Sequence, residues 1–209
     1  MINWTFEAGL QTSADIVQVA TDSKKIYDLF SKDNVVMTSS SHLSGTDRVN
    51  EAVSKLSLSD EDVVINIQGD EPFINPEDIN NLFDLVSKKE IAMGTLYSDL
   101  KSLDELEDSN KVKILVNDGI ASNFFRETSL VNNIFIHQGV YAFKYKTLKS
   151  FVSWQPSDNE KKYKLEQFRA LDNGIKINAI KSVSKIHLGV DTEDDLKKAN
   201  EIAKDDSYK

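Results

Sequence analysis

The strongest constraint on the fold is an alternation of short apolar runs with amphipathic helical stretches in the first hundred residues. The apolar, β-branched runs lie at residues 16–20, 35–37, 63–67 and 91–96, and helical patterns lie between them at 24–30, 47–56 and 77–86. Strands separated by helices favour a parallel sheet covered on both faces, because each crossover places a helix over the sheet. We therefore predict an α/β protein with a doubly wound, mostly parallel sheet.

The second half of the chain predicts a mixed region with an antiparallel component. Residues 111–116 and 120–125 are strand-like and flank Asn117-Asp118-Gly119, and Asp-Gly is a strong hairpin signal. The remaining patterns are strands at 135–143 and 175–179 and helices at 146–152, 162–171 and 194–203. We interpret residues 97–155 as a mixed sub-region within one domain that spans residues 1–209.

Composition excludes several classes of function. The formal net charge of −9 disfavours general binding to nucleic acid or to anionic membranes, because both require a basic surface. The chain has no cysteine, which excludes disulfides and thiolate metal sites, and its three histidines disfavour a multi-histidine zinc site. It shows neither an apolar run of membrane-spanning length nor a signal-peptide pattern, so we expect a cytoplasmic protein. An anionic small molecule, held by a few cations or by a metal, is compatible with these features.

Two acids follow apolar segments at positions where a sheet of this class binds ligands. Asp70 lies just beyond the end of the run at 63–67, in the stretch INIQGDEP, although an Asp-Glu-Pro turn explains it equally well. Asp191 follows the apolar segment 186–190 and opens the last helix, where it could be a plain helix cap. Because Thr192 and Asp195 already form a plausible capping box, the Asp191 carboxylate is free for another role. Two carboxylates together with phosphate oxygens suit Mg²⁺.

A polar stretch between a strand and a helix, HLSGTDR at residues 42–48, predicts either a helix cap or an anion site. Ser44 or Thr46 can cap the helix. Alternatively, Gly45 allows a close backbone approach, and the helix N-terminus and Arg48 face an anionic or nucleoside ligand.

Further polar side chains have a structural and a functional interpretation. His137 and Tyr141 share one face of a predicted strand, which is typical of a core face but also allows contacts with a hydroxyl-rich substrate. Glu166 and Gln167 fit a solvated helix face. Arg126 fits either a surface ion pair or bidentate binding of a carboxylate.

Seven ordered stretches of the sequence resemble one family. They are HLSGTDR, INIQGDEP, NKVKILV, IHQGVYAF, WQPS, LEQFRAL and GVDTEDDL, and together they extend over essentially the whole chain. Their order is similar to that of the 3-deoxy-manno-octulosonate cytidylyltransferases, the CMP-Kdo synthetases of lipopolysaccharide biosynthesis. The resemblance implies a Rossmann-like nucleotide-diphospho-sugar transferase fold. It also implies a Mg²⁺-dependent reaction in which CTP and 3-deoxy-D-manno-octulosonate (Kdo) give CMP-Kdo and diphosphate, and a homodimer with the helix around Phe168 as a candidate contact.

The resemblance also implies roles for individual residues. Asp70 and Asp191 match the two metal-holding, catalytic aspartates. The nucleotide-binding positions are His42, Ser44, Gly45 and Arg48. The positions that bind the sugar acid are Gln68, Arg126, His137, Tyr141, Glu166 and Gln167.

The chain departs from the family pattern mainly at its beginning. Residues 1–10 have a helical pattern, whereas the family begins with a strand and a loop of pattern P-A-R-x-x-S-x-R-L-P-x-K that binds the triphosphate. We therefore expect an N-terminally truncated chain that is not a competent enzyme as written. Phe125 and Ile136 also stand where relatives usually have Ser and often have Arg. The alternatives are a cytidylyltransferase for 8-amino-Kdo or another ulosonic acid, and an inactive fragment of the enzyme.

Overall fold

A computed structural model describes residues 1–184, 186 and 188–204. Its helices are α1 (Ile2–Leu10), α2 (Lys24–Tyr27), α3 (Gly45–Val53), α4 (Pro76–Ser87), α5 (Tyr145–Ser153), α6 (Asp158–Tyr163), α7 (Gln167–Asp172) and α8 (Glu193–Lys204). Its strands are β1 (Val19–Thr21), β2 (Val35–Met37), β3 (Val63–Asn66), β4 (Met93–Ser98), β5 (Lys113–Asn117), β6 (Ile120–Phe125), β7 (Ile134–Lys144) and β8 (Ile177–Lys181). No helix among these residues is long and apolar enough to cross a membrane.

The strands form two sheets. β1 and β2 make a parallel pair, and the other strands form a six-stranded sheet in the order β3-β7-β4-β8-β6-β5. β5 also pairs with the first part of β7, so that β7, β4, β8, β6 and β5 close into a ring of paired strands. The hairpin of β5 and β6 is confirmed: Asp118 and Gly119 have φ angles of 48° and 73°, as a tight turn between antiparallel strands requires.

The α/β class predicted from the sequence is confirmed, but fewer strands are parallel than the alternating pattern suggests. Within the six-stranded sheet, β4 and β8 are the parallel pair, and the other pairings are antiparallel. The cause is β7, which lies antiparallel between β3 and β4. β3 and β4 therefore run in the same direction, as the pattern predicts, without being neighbours.

Both faces of the sheet are covered because β7 alternates its side chains between two cores. Val140 and Ala142 pack with Leu82 and Val86 of α4 on one face. Tyr141 and Phe143 pack on the opposite face with Phe124, Leu148, Phe151 and Phe168 from β6, α5 and α7. Gly94 lets α4 approach closely, since a Cβ there would lie 2.8 Å from a methyl carbon of Val86.

Several predicted element bounds are wrong. The single helix predicted at 162–171 is two helices, since Lys164 ends α6 in the left-handed conformation with φ of 54°. A capping box of Ser157 and Glu160 starts α6 earlier than predicted. β1 and α2 are shorter than their patterns, and β8 begins two residues later. In the segment 186–190, His187 lies outside the described residues, and residues 188–190 are not in a strand.

Candidate active site

A large cleft of about 2350 Å³ opens where β1 and β3 end, beside the first half of β7, and where α3, α7 and α8 begin. Eleven of the twelve predicted site residues line this cleft, although they come from widely separated parts of the chain. His42 does not line it and is instead hydrogen-bonded to Glu51 on α3. The fold therefore brings most of the predicted residues to one place, whereas the nucleotide-binding role predicted for His42 receives no support from its position.

The segments that carry Asp70 and Asp191 meet at the mouth of the cleft. The Val190 N–H donates to the carbonyl oxygen of Asp70 at 2.9 Å. The predicted capping box at α8 is present, because the Thr192 hydroxyl and the Asp195 carboxylate each bind the other residue's backbone N–H. The α8 cap thus leaves the Asp191 side chain free. Burial raises the pKa of Asp70, and the negative charge of Asp191 adds to this effect.

Glu71 is a third acid at this point, for which the sequence predicts no role beyond a turn. Burial raises the pKa of Glu71 to about 7, with smaller contributions from Asp70 and Asp191. Its carboxylate lies beside Gly189, where a Cβ would be 3.4 Å from Oε1. The one sequence signal for including Glu71 in the site is its position directly after Asp70. That signal is weak, because adjacency in a loop does not show whether two side chains point in the same direction.

The acids concentrate negative charge in a partly desolvated place, which favours a bound cation. Carboxylate oxygens are the ligands that a hard divalent ion takes. No group of three or more Asp, Glu or His side chains among the described residues is arranged to hold a metal. Asp70 and Asp191 can therefore supply part of a coordination shell, with substrate or water oxygens completing it.

Gln68 is held against β7 at an irregularity of that strand. The pairing of β4 with β7 jumps from Thr95–Tyr141 to Leu96–Gln138, which leaves Gly139 and Val140 as two additional residues. The Gln68 amide donates to the Gly139 carbonyl at 3.1 Å. A Cβ at Gly139 would lie 2.9 Å from Gln68 Nε2, so glycine gives the amide its room.

His137 is held neutral between aromatic rings. It packs against Phe124 and Tyr141 with ring centroids 5.1 and 5.4 Å away, and burial lowers its pKa to about 3. Its Nε2 lies 2.9 Å from the Thr95 hydroxyl, which lies 2.8 Å from the Val140 carbonyl. A donating Nε2–H satisfies both contacts and leaves Nδ1 as an acceptor.

Glu166 and Gln167 form a buried polar wall rather than the solvated helix face considered from the sequence. The Tyr141 hydroxyl donates to Gln167 Oε1 at 3.1 Å, and the Thr46 hydroxyl donates to Glu166 Oε1 at 3.0 Å. Thr46 also accepts from the Asn66 amide at 3.3 Å, which connects α7 to the end of β3. Glu166 Oε2 and Gln167 Nε2 are buried and have no hydrogen-bond partner among the described residues. An unpaired acceptor and an unpaired donor suit ligand hydroxyls, which can both donate and accept.

The start of α3 occupies the other side of the cleft. Ser44 caps the helix by accepting from the Asp47 N–H at 3.2 Å. Arg48 pairs with Asp22 at 3.2 Å and donates to the Thr38 hydroxyl at 2.6 Å, which ties the ends of β1 and β2 together. Both the capping and the ligand-facing interpretations of this stretch are therefore compatible with its geometry.

Arg126 is at the far end of the polar wall. Its guanidinium donates to the backbone carbonyls of Lys164 at 3.1 Å and of Ser109 at 3.4 Å. Because these partners are neutral, the positive charge is available to an anionic group in the cleft. Arg169, on α7, is 3% exposed and pairs with Glu160 at 2.6 Å.

The fold together with this cleft defines a nucleotidyltransferase. The structure is similar to that of a CMP:2-keto-3-deoxy-manno-octonic acid synthetase complexed with CTP, with a TM-score of 0.86, 29% identity and coverage of 97% of this chain and 86% of that one. It shares its fold with a 2-C-methyl-D-erythritol 4-phosphate cytidylyltransferase of Francisella tularensis, with a TM-score of 0.66, 18% identity and coverage of 95% and 86%.

The chain belongs to the cytidylyltransferase family, whose model matches residues 1–177. It is 33% identical to the 3-deoxy-manno-octulosonate cytidylyltransferase of Photobacterium profundum, over 97% of this chain and 88% of that protein. It is 34% identical to the corresponding enzyme of Haemophilus influenzae, over 97% of this chain and 87% of that protein. The family expected from the seven ordered stretches is thereby confirmed.

Proposed function

We propose that this protein activates Kdo with CTP. The anomeric hydroxyl oxygen of Kdo bonds to the α-phosphorus of CTP, the bond from that phosphorus to the bridging oxygen breaks, and diphosphate leaves. The hydroxyl proton passes to solvent, and the second product is CMP-Kdo. The observation that carries the proposal is the similarity to Kdo cytidylyltransferases over nearly the whole chain, combined with a cleft lined by the matching residues.

The polar wall is proposed to bind the sugar acid. Glu166 Oε2 and Gln167 Nε2 can accept from and donate to sugar hydroxyls, and Tyr141 fixes the Gln167 amide. Arg126 is proposed to bind the carboxylate of the sugar acid, since the partners of its guanidinium in the described part of the chain are neutral carbonyls. Gln68 and His137 border the same space from β3 and β7. Holding the attacking hydroxyl in line with the phosphorus and stabilising the phosphate charge together supply most of the rate enhancement in such reactions.

The nucleotide is proposed to occupy the side of the cleft formed by the start of α3. Ser44 and Gly45 lie at the N-terminus of that helix, whose N–H groups and dipole favour an anion. Asp70 and Asp191 would hold Mg²⁺, and the ion would supply neutralisation of the phosphate charge and a lower pKa for the attacking hydroxyl. The proposal places the protein in the cytoplasm, in lipopolysaccharide synthesis, as a homodimer. The Phe168 side chain is 7% exposed and packs in the core, so a dimer contact on this helix would involve its other residues.

The test is a diphosphate-release assay with CTP, Mg²⁺ and Kdo, in which the nucleotide product is identified by mass spectrometry. Formation of CMP-Kdo supports the proposal. Parallel assays with 8-amino-Kdo and with sialic acid identify the preferred ulosonic acid. Absence of turnover with every sugar acid, from protein that is folded by circular dichroism, contradicts the proposal and favours a chain without this activity.

A further inference from the structure

A lysine beside the cleft is completely buried, although it is not one of the residues that line the cleft. Lys113 is the first residue of β5, and its exposed fraction is 0%. Lysine is almost never fully buried unless its ammonium group is paired, so its presence here requires an explanation.

The ammonium group of Lys113 is satisfied entirely by backbone carbonyls. Nζ donates to the carbonyl of Asp108 at 2.7 Å, to that of Lys111 at 2.8 Å, and to that of Arg126. These bonds use all three donors of the ammonium. One side chain therefore binds two separate segments of the chain, which are residues 108–111 before β5 and Arg126 after β6.

The position of Lys113 in the sheet connects it to two residues of the proposed sugar site. Its backbone pairs with Phe125 on one side and with Ile136 on the other. Those residues directly precede Arg126 and His137. In addition, the carbonyl of the preceding residue, Val112, accepts from the His137 N–H at 2.8 Å.

Arg126 extends this attachment across the cleft. Its guanidinium donates to Ser109, in the turn that Lys113 holds, and to Lys164, two residues before Glu166. The backbone of the turn, Arg126 and the start of the polar wall are therefore linked through two cationic side chains. Removing Lys113 leaves three carbonyls without this donor in a buried place, so the segments must move to find other partners.

From this arrangement we propose that Lys113 is the positioning residue of the sugar-acid site, which sets the placement of Arg126 while making no contact with substrate itself. The inference depends on the proposed function, since the site it serves is the Kdo site. If Lys113 has this role, binding of the sugar acid depends on Lys113, whereas binding of CTP does not.

The test compares Lys113→Met with Lys144→Met. Lys144 is the control, because it is also buried and its Nζ donates to the backbone carbonyls of Glu61 and Ser87, with the Glu61 carboxylate 3.6 Å away. We expect Lys113→Met to raise the KM for Kdo about tenfold or more with the KM for CTP unchanged. Lys144→Met should lower the unfolding temperature and leave both KM values unchanged. The inference is overturned if both variants have an equally lowered unfolding temperature and unchanged KM values. It is also overturned if Lys113→Met has an unchanged KM for Kdo.

Chemical restoration separates placement of the ammonium from general stability. The chain has no cysteine, so Lys113→Cys provides a single alkylation site. Treatment of the unfolded variant with 2-bromoethylamine, followed by refolding, restores an ammonium at nearly the lysine length. The alkylated protein should regain the KM for Kdo, whereas the unmodified variant should not. A low KM for Kdo in the unmodified variant contradicts the inference.

Hydrogen exchange on the unsubstituted protein provides a readout even if these variants fail to fold. Kdo should slow exchange of the amides in residues 108–112 and at Glu127, because the sugar acid fixes Arg126 and the segments attached to it. Protection confined to other parts of the cleft overturns the inference. Absence of turnover by the unsubstituted protein contradicts the proposed function instead, so the two failures are distinguishable.

Discussion

The backbone N–H of Val190 donates to the carbonyl oxygen of Asp70 at 2.9 Å. This bond joins the loop after β3 to the residue that precedes Asp191, so two acids far apart in sequence share one end of the cleft. Because the contact is made by the backbone, it fixes the approach of the two segments independently of their side chains. Substitution of either carboxylate should therefore change the chemistry of the site with little effect on its shape.

Substitution of Asp70 or Asp191 by Asn is the direct test of the proposed metal site. We expect each variant to lose at least about 10²–10³ in turnover, because each removes a charge from a preorganised site. Each should also lose the increase in unfolding temperature that Mg²⁺ gives the unsubstituted protein. Asp84→Asn, an exposed position on α4, is the control and should retain both properties. A variant of Asp70 or Asp191 with normal Mg²⁺ stabilisation would show that the ion binds elsewhere.

The cap of α8 should affect metal binding as well as stability. Thr192→Ala removes the hydroxyl that accepts from the Asp195 N–H, at a cost of about 1 kcal/mol in unfolding free energy. Ser157→Ala removes the same interaction from α6 and should cost a similar amount. Of the two variants, only Thr192→Ala is expected to weaken Mg²⁺-dependent stabilisation, since Asp191 directly precedes this cap. Equal Mg²⁺ responses in the two variants would separate the cap from the metal site.

Tyr141→Phe should weaken binding of the sugar acid selectively. The substitution removes the hydroxyl that donates to Gln167 Oε1 and leaves a buried acceptor unpaired. We expect the KM for Kdo to rise about tenfold, in line with the usual cost of such a loss, while the KM for CTP stays unchanged. Tyr145→Phe on α5 is the matched control. A KM for Kdo within twofold of the original value would show that this strand serves only the core.

His137 makes stability dependent on pH in a specific direction. In the folded protein its pKa is about 3, whereas in the unfolded chain it has its ordinary value of about 6.5. The unfolded state therefore binds a proton that the folded state does not, and the stabilisation that is present above pH 6.5 is lost as the pH falls towards 3. Relative to His137→Gln, the free energy of unfolding should fall by up to about 1.4 kcal/mol per pH unit below pH 6. Urea titrations at several pH values measure this difference, and parallel curves would contradict the assignment.

The sequence predicts the elements well where periodicity is strong. The helices α1, α4, α5 and α8 and the hairpin of β5 and β6 agree with the pattern to within a few residues, because burial of one face and the Asp118-Gly119 turn are local properties. The break between α6 and α7 was missed because Lys164, rather than glycine, adopts the left-handed conformation there. A lysine in that conformation is held by its surroundings and gives no local signal.

The sequence predicts which residues form the candidate site, but it does not predict how their side chains are arranged. Most of the residues implied by the resemblance line the cleft, whereas His42 is directed to Glu51. The roles of Glu71 and Lys113 depend on contacts with residues that are distant in sequence or in neighbouring strands. The two additional residues in β7 likewise arise from its pairing with β4, which a single strand's pattern cannot reveal.

The strand order has a consequence for the synthesis of the protein. β7 lies between β3 and β4, and β8 lies on the other side of β4, so the middle of the sheet needs strands from both halves of the chain. The ribosome adds about 5–20 residues per second, which separates the emergence of Asn66, at the end of β3, from that of Lys144, at the end of β7, by on the order of ten seconds. During that interval the strand that pairs with β3 and β4 in the folded protein has not yet emerged. The apolar side chains of β3 and β4 therefore remain exposed unless another molecule binds them. Nascent chains are therefore expected to engage holding chaperones until β7 and β8 emerge, and shortening this wait by faster translation should increase the folded yield.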